Sequence, residues 1–123
     1  MVDRNAPLAW FLANRHAELA LYVMILEPTE SCPAPGTDEF FAVLREHFVY
    51  WWELEEAGLL VGAGPLEWDV PGTGMAIVRA ASRDHAERLA AEEPFATRGF
   101  RRNRIRPWQL NEGALVPVIQ ESM

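Results

Sequence analysis

Residues 47–69 read HFVYWWELEEAGLLVGAGPLEWD, and the break inside this stretch decides the fold. Before Gly58 the apolar residues keep helical spacing: Phe40, Leu44, His47, Trp51 and Leu54 are separated by four and three positions and share one face. Phe41, Val43, Phe48 and Trp52 widen that stripe, while Glu46, Glu53, Glu55 and Glu56 fall largely on the remaining surface. Thr37 is a suitable N-cap, and Asp38 and Glu39 suit the positive end of a helix over 38–57. Gly58 is a natural stop. After it, LLVGAGPLEW (59–68) reads as a strand. Pro65 cannot donate to a ladder, so this strand is expected at a sheet edge or bent there. Gly62 and Gly64 remove side chains where another backbone or a ligand comes close.

Working outward, residues 20–27 (ALYVMILE) are apolar in seven of eight positions without alternation, as in a strand buried on both faces. PTESCPAPGT (28–37) holds three prolines and a glycine and reads as a loop. Cys32 sits there with no basic neighbour in sequence, and reads as a plain loop thiol. Residues 69–74 form a turn, and MAIVRAA (75–81) is a second strand that is apolar on both faces apart from Arg79. Ser82 caps a further helix, which Pro94 ends, and Phe95–Gly99 form a turn. FRRNRIRPWQL (100–110) is a basic strand.

The order is β–α–β–β–α–β, the α+β ferredoxin-like arrangement of an antiparallel sheet. It places the first and third strands centrally, and these are the two strands with apolar residues on both faces. Helices cover one face only in a chain this short. A homodimer is expected to cover the other. The expected organisation is an N-terminal arm (1–19, with Leu8, Trp10, Phe11 and Leu12 as a possible short helix), a domain over 20–110, and a tail (111–123) whose ALVPVI segment packs on the domain or at a dimer interface.

Composition excludes several functions. With 123 residues, half of them hydrophobic, a net charge of −7 and a pI near 4.9, the chain suits one acidic globular domain. Nucleic acid and membranes are not expected partners. No apolar run approaches the roughly 20 residues that span a bilayer. The N-terminus does not read as a signal peptide, and the lone cysteine is compatible with a cytoplasmic setting. His16, His47 and His85 lack metal-ligand spacing, and GAGP lacks the context of a nucleotide loop, so neither a metal nor another cofactor is expected.

His47 is the sharpest candidate. Leu would sit in its stripe at no cost, whereas a buried imidazole demands hydrogen-bond partners. It is either a satisfied core histidine or a general acid–base. Trp51, Trp52, Trp68 and Trp108 are either packing groups or walls for a flat ligand. Arg98, Arg101, Arg102, Arg104 and Arg106 are either a solvated edge or a source of one or two anion-binding groups.

Taken together, EHFVYW (46–51), LLVGAGPL (59–66) followed by an acid, SRDHAERLAAEEPF (82–95) and RIRPW (104–108) resemble the YciI-like, or YCII-related, proteins of the dimeric α/β-barrel superfamily. The likeness covers about residues 20–110. It implies a ferredoxin-like fold, homodimers, and a His–Asp pair in a pocket that takes a small-molecule substrate without a cofactor. The histidine corresponds to His47 and the Gly-Pro signature to Gly64-Pro65. The DPF-like motif corresponds to Glu93-Pro94-Phe95 and the terminal Pro-Trp to Pro107-Trp108. The acid corresponds to Asp69, or to Glu67 where the spacing after GPL is shorter. Trp51, Gly64, Pro65, Glu67 and Trp108 are the expected pocket residues around His47 and Asp69. The family includes an enzyme that eliminates chloride from a chlorinated hydroxyquinol, so the expected activity is a lyase or isomerase-type proton transfer. The alternatives are a non-catalytic dimeric binding module and a cofactorless oxygenase.

Overall fold

The computed structural model describes residues 7–8, 20–67, 69 and 72–121. The expected N-terminal helix with Trp10, Phe11 and Leu12, as well as Trp68, lies outside them. Residues 22–107 form one compact unit; residues 1–21 with 108–123 form a second.

The elements are β1 (Ala20–Pro28), α1 (Asp38–Glu56), β2 (Leu60–Pro65), β3 (Gly74–Val78), α2 (Arg83–Glu92), α3 (Pro94–Thr97), β4 (Arg101–Gln109) and α4 (Leu115–Glu121). The strands form one sheet in the order β2-β3-β1-β4. β1 and β3 are central, and β2, which carries Pro65, is an edge. β3 runs antiparallel to β1, pairing Met24 with Ala76 and Leu26 with Gly74, and antiparallel to β2, where an irregularity between Leu60 and Gly62 marks a bulge. This is the ferredoxin-like α+β arrangement.

α1 begins where the side chain of Thr37 accepts a hydrogen bond from the Phe40 amide, with Asp38 and Glu39 in the first turn. It ends in a Schellman turn. Gly58 takes φ 74°, its amide bonds the Glu55 carbonyl, and the Leu59 amide reaches back to Leu54. Leu54 and Leu59 then join the same core, so the helix stop also fixes the entry into β2. α2 starts with a reciprocal cap. Ser82 accepts from the His85 amide, and His85 Nδ1 accepts from the Ala81 amide. That cap accounts for His85 locally.

The core of the 22–107 unit combines Met24, Leu26, Ala76, Val78 and Ile105 from the sheet with Trp51 and Leu54 from α1 and Ala86, Leu89 and Ala90 from α2. Tyr50 ties the helices together by donating to the Leu89 carbonyl at 2.6 Å. The buried stripe of α1 is Phe40, Val43, His47, Trp51 and Leu54. Phe41, Phe48 and Trp52, expected to broaden it, are exposed. Two short helices differ from the expected turn and tail. Phe95 belongs to α3, and the apolar C-terminal segment forms α4, where Val116 and Ile119 are buried.

Candidate active site

The α1 stripe delivers one imidazole into an otherwise apolar layer. His47 is buried at 6% exposure, and Glu93, with no exposed surface, lies opposite it. Nδ1 of His47 is 3.0 Å from Oε2 of Glu93. Burial alone would raise the Glu93 pKa. Hydrogen bonds from His47, Asn103 and the Phe95 amide, together with the His47 charge, outweigh it and hold the carboxyl below its ordinary value. An ionised carboxylate only accepts, so Nδ1 of His47 carries the proton in this contact.

Local structure fixes Glu93 from two further directions. It is the N-cap of α3, and Oε2 accepts from the Phe95 amide at 2.7 Å, with Pro94 as the first helical residue. Oε1 accepts from Asn103 Nδ2 at 2.9 Å. Asn103 projects from β4 on the side where Ile105 enters the core. α1, the α2–α3 junction and β4 therefore converge on one carboxylate. Phe95, fully buried, lies 5.6 Å from the His47 ring and 5.3 Å from Phe40, and Trp51 lies 4.7 Å from His47.

A cavity of about 440 Å³ opens beside the imidazole, bounded by α1, the loop before it, the β2–β3 hairpin and the start of β4. Leu26, Pro35, Phe40, Leu44, His47, Phe48, Trp51, Ala63, Gly64, Pro65, Gly72, Thr73, Gly74, Met75 and Arg101 line it. The size and mostly apolar wall suit a small organic molecule. Gly64 faces open space: a Cβ there would meet nothing within 4 Å.

The structure thus brings His47, Trp51, Gly64 and Pro65 around one cavity. Neither Glu67, Asp69 nor Trp108 is among its lining residues. The carboxylate hydrogen-bonded to His47 is Glu93, which corrects the expected pairing with Asp69 or Glu67. Both of those acids are exposed in the β2–β3 turn, Glu67 at φ 51°, whereas Glu93 is packed beneath α1. Trp108 is exposed at 38%. A sequence signal for Glu93 existed in Glu-Pro-Phe: an acid ahead of proline, at a helix start, next to a buried aromatic.

Arg101 is the cavity residue that motif reading left among five arginines. Its guanidinium carbon lies 3.8 Å from the centre of the Phe95 ring. Burial pushes its pKa down, and Glu93 and Cys32 partly offset this. Burial also pushes the Cys32 thiol up, only partly countered by Arg101, so Cys32 is not held as a thiolate. Among the described residues no group of three His, Cys, Asp or Glu side chains is placed to hold a metal, and no helix is long and apolar enough to cross a membrane.

Residues 20–109 match the model of the YCII-related domain, and the chain belongs to that family. No curated protein matches it significantly. Among solved structures, it is similar to 5-chloro-2-hydroxyhydroquinone dehydrochlorinase from Burkholderia phenoliruptrix AC1100, in complex with 2,5-dihydroxybenzoquinone. The two are 16% identical with a TM-score of 0.55, over 72% of this chain and 93% of that one. At that identity the likeness is one of fold.

Proposed function

We propose that this YCII-related chain is a cofactor-independent small-molecule enzyme of the lyase or isomerase type, in which His47 transfers a proton in the cavity beside α1. One observation carries the reading: the 3.0 Å contact of His47 Nδ1 with buried Glu93 on a cavity wall. Replacing a buried leucine by an imidazole and a carboxylate forgoes about 1.5–3 kcal/mol of apolar burial and adds a desolvation cost. Three hydrogen bonds to Glu93 offset that cost and set the tautomer.

With Nδ1–H directed at Glu93, the basic lone pair is on Nε2, which makes no hydrogen bond to a described residue. Nε2 takes a proton from a C–H or O–H of the substrate. Glu93 stabilises the resulting imidazolium, as the orienting acid does in His–acid pairs generally. The electron pair left on the substrate either expels a leaving group or shifts a double bond, and Nε2 then returns its proton to solvent or product. Phe40, Phe48 and Trp51 suit a flat, ring-shaped substrate. The dehydrochlorinase of similar fold acts on such a ring, which supports an elimination.

A homodimer remains part of the proposal. Val23, Ile25 and Ile77 alternate with the core residues of β1 and β3, so they lie on the other face of the sheet, and each is only half-buried. Sedimentation showing a monomer at micromolar concentration would remove that part.

The competing reading is a non-catalytic binding module, with His47 as a satisfied polar group; its 6% exposure favours it. Turnover of a panel of hydroxylated and halogenated ring acids, followed by halide release and ultraviolet absorbance, separates the two. His47→Ala and His47→Asn should lose about 10²-fold or more in kcat while remaining folded. Full turnover in either variant would exclude His47 as the acid–base. Collapse of both folds, with no substrate turned over by the wild type, would favour the binding module.

A further inference from the structure

We infer that Arg101 is the anion-binding residue of the cavity, and that its ligand is a planar, ring-sized organic anion whose charged oxygens, carboxylate or ring-borne enolate or phenolate, pair with the guanidinium. This rests on the cavity being a substrate site and adds the charge class of the substrate.

Strand alternation singles out the residue. Along β4, Arg102, Arg104 and Arg106 are exposed, whereas Arg101, Asn103 and Ile105 are drawn inward. Asn103 holds Glu93, and Ile105 enters the core. Arg101 reaches the cavity that His47 also lines. Other arginines are partnered by carboxylates: Arg98 with Glu46, Arg104 with Glu27, and Arg83 with Glu87. Arg101 makes no hydrogen bond or ion pair with a described residue, and its Nε is buried without a partner.

A cation withdrawn from water without a hydrogen-bonded counter-ion is costly. The face of Phe95 beneath it compensates only in part. That contact also holds the guanidinium plane in place, leaving its terminal N–H groups, which are not buried, for a ligand. Glu93 is already committed to three donors and does not pair with Arg101. An incoming carboxylate or enolate would supply the missing acceptors in a forked, charge-assisted geometry. Aromatic walls from Phe40 and Trp51 then select a flat body over a small inorganic ion.

Binding can be measured by NMR titration. Benzoate and 2,5-dihydroxybenzoquinone serve as anions, with benzamide and hydroquinone as neutral counterparts of similar size. Wild type, Arg101→Gln, Arg101→Lys and His47→Gln are compared, each checked for native circular dichroism. The wild type should bind at least one anion saturably and prefer it to its neutral counterpart, with a shift of the Arg101 Nε–H resonance. Arg101→Gln should weaken anion binding about tenfold or more, leave the neutral ring unchanged, and erase the preference. Arg101→Lys should restore part of it. Anion affinity in folded Arg101→Gln within twofold of wild type would overturn the assignment, as would the absence of saturable anion binding by the wild type. If His47→Gln abolishes turnover while Arg101→Gln leaves anion affinity intact, the anion site alone is wrong. If Arg101→Gln lowers affinity while His47→Gln leaves turnover intact, the proton-transfer role alone is wrong.

Discussion

His47 and Glu93 are 46 residues apart in the chain, and their side chains meet at 3.0 Å in a layer otherwise packed with Phe40, Val43 and Phe95. Glu93 should respond differently to loss of charge and loss of shape. Glu93→Ala removes the acceptor for three donors and leaves the His47 N–H unpaired; a loss of about 3–5 kcal/mol in urea unfolding is expected. Glu93→Gln keeps an acceptor for the Phe95 amide and His47. Its new amide N–H₂ would face Asn103 Nδ2, but the Asn103 Oδ1 is buried without a partner. Rotating the Asn103 amide turns that oxygen toward the new donor but gives up the hydrogen bond from Asn103 Nδ2 to the Ala90 carbonyl. The Gln variant should therefore lose about 1–3 kcal/mol, less than Ala, while turnover falls because the imidazolium loses its counter-charge. Equal destabilisation by Ala and Gln would contradict this account of the network.

The depressed pKa of Glu93 has a sign that can be tested. Its folded value lies below the ordinary 4.5. The unfolded chain therefore takes up this proton first as pH falls. The stability from the ionised group is fully present above the unfolded value and is lost as pH drops through the lower folded value. Glu46, held down by exposed Arg98, acts in the same direction with solvent-screened weight. Urea midpoints measured from about pH 7 down to about pH 3 should fall steeply for the wild type and more shallowly for Glu93→Gln. Parallel curves would mean that Glu93 is not ionised in the native state.

Much of this arrangement was legible from local chemistry. Thr37, Gly58 and Ser82 name their own positions because capping depends on a few adjacent groups. The strands containing Met24 and Ala76 pointed to the centre of the sheet because their apolar residues run without alternation, and β1 and β3 are the two central strands. His47 stood out as a polar residue in an apolar stripe. Its acid did not, because a hydrogen bond between residues 47 and 93 depends on how α1 crosses the α2–α3 junction, and no periodicity encodes that crossing. In the sequence Glu93 is visible only as a motif position, and the acids expected to answer His47 are Asp69 and Glu67. Arg101 was hidden among similar arginines until β4 alternation in space separated it from Arg102 and Arg104. The short α3 and α4 read as turn and tail in the sequence because helices of four and seven residues carry almost no periodic signal.

Phe95 links His47 and Arg101. It is fully buried, lies 5.6 Å from the His47 ring and carries Arg101 on its face. Phe95→Leu keeps most of the volume and should cost about 1–2 kcal/mol by thermal unfolding. It also removes the π surface under the guanidinium, so Arg101 should gain mobility, read as faster relaxation of its Nε–H resonance. Phe95→Ala should cost about 3–5 kcal/mol. An unchanged Arg101 signal in folded Phe95→Leu would show that the ring does not hold the guanidinium.

Gly64 and Gly74 provide a matched pair on adjacent strands. A Cβ at Gly64 would meet nothing within 4 Å, whereas one at Gly74 would lie 3.3 Å from the Gly64 carbonyl oxygen and 3.4 Å from Leu26 Cδ1. Both glycines line the cavity. Gly64→Ala should therefore fold with stability within about 0.5 kcal/mol of wild type, or slightly above it, since alanine has less unfolded-chain freedom to lose. Gly74→Ala must push against a backbone oxygen in the β2–β3 ladder and should cost about 1–3 kcal/mol. The functional outcome should differ as well. The added methyl at residue 64 stands on the cavity wall, so Gly64→Ala should raise KM for a ring-sized substrate while kcat changes less, because the His47–Glu93 geometry is untouched. Chemical denaturation of both variants beside steady-state kinetics of Gly64→Ala tests the pair. A Gly64→Ala protein with strongly reduced stability would show that the β2 edge is more tightly enclosed than the structure places it.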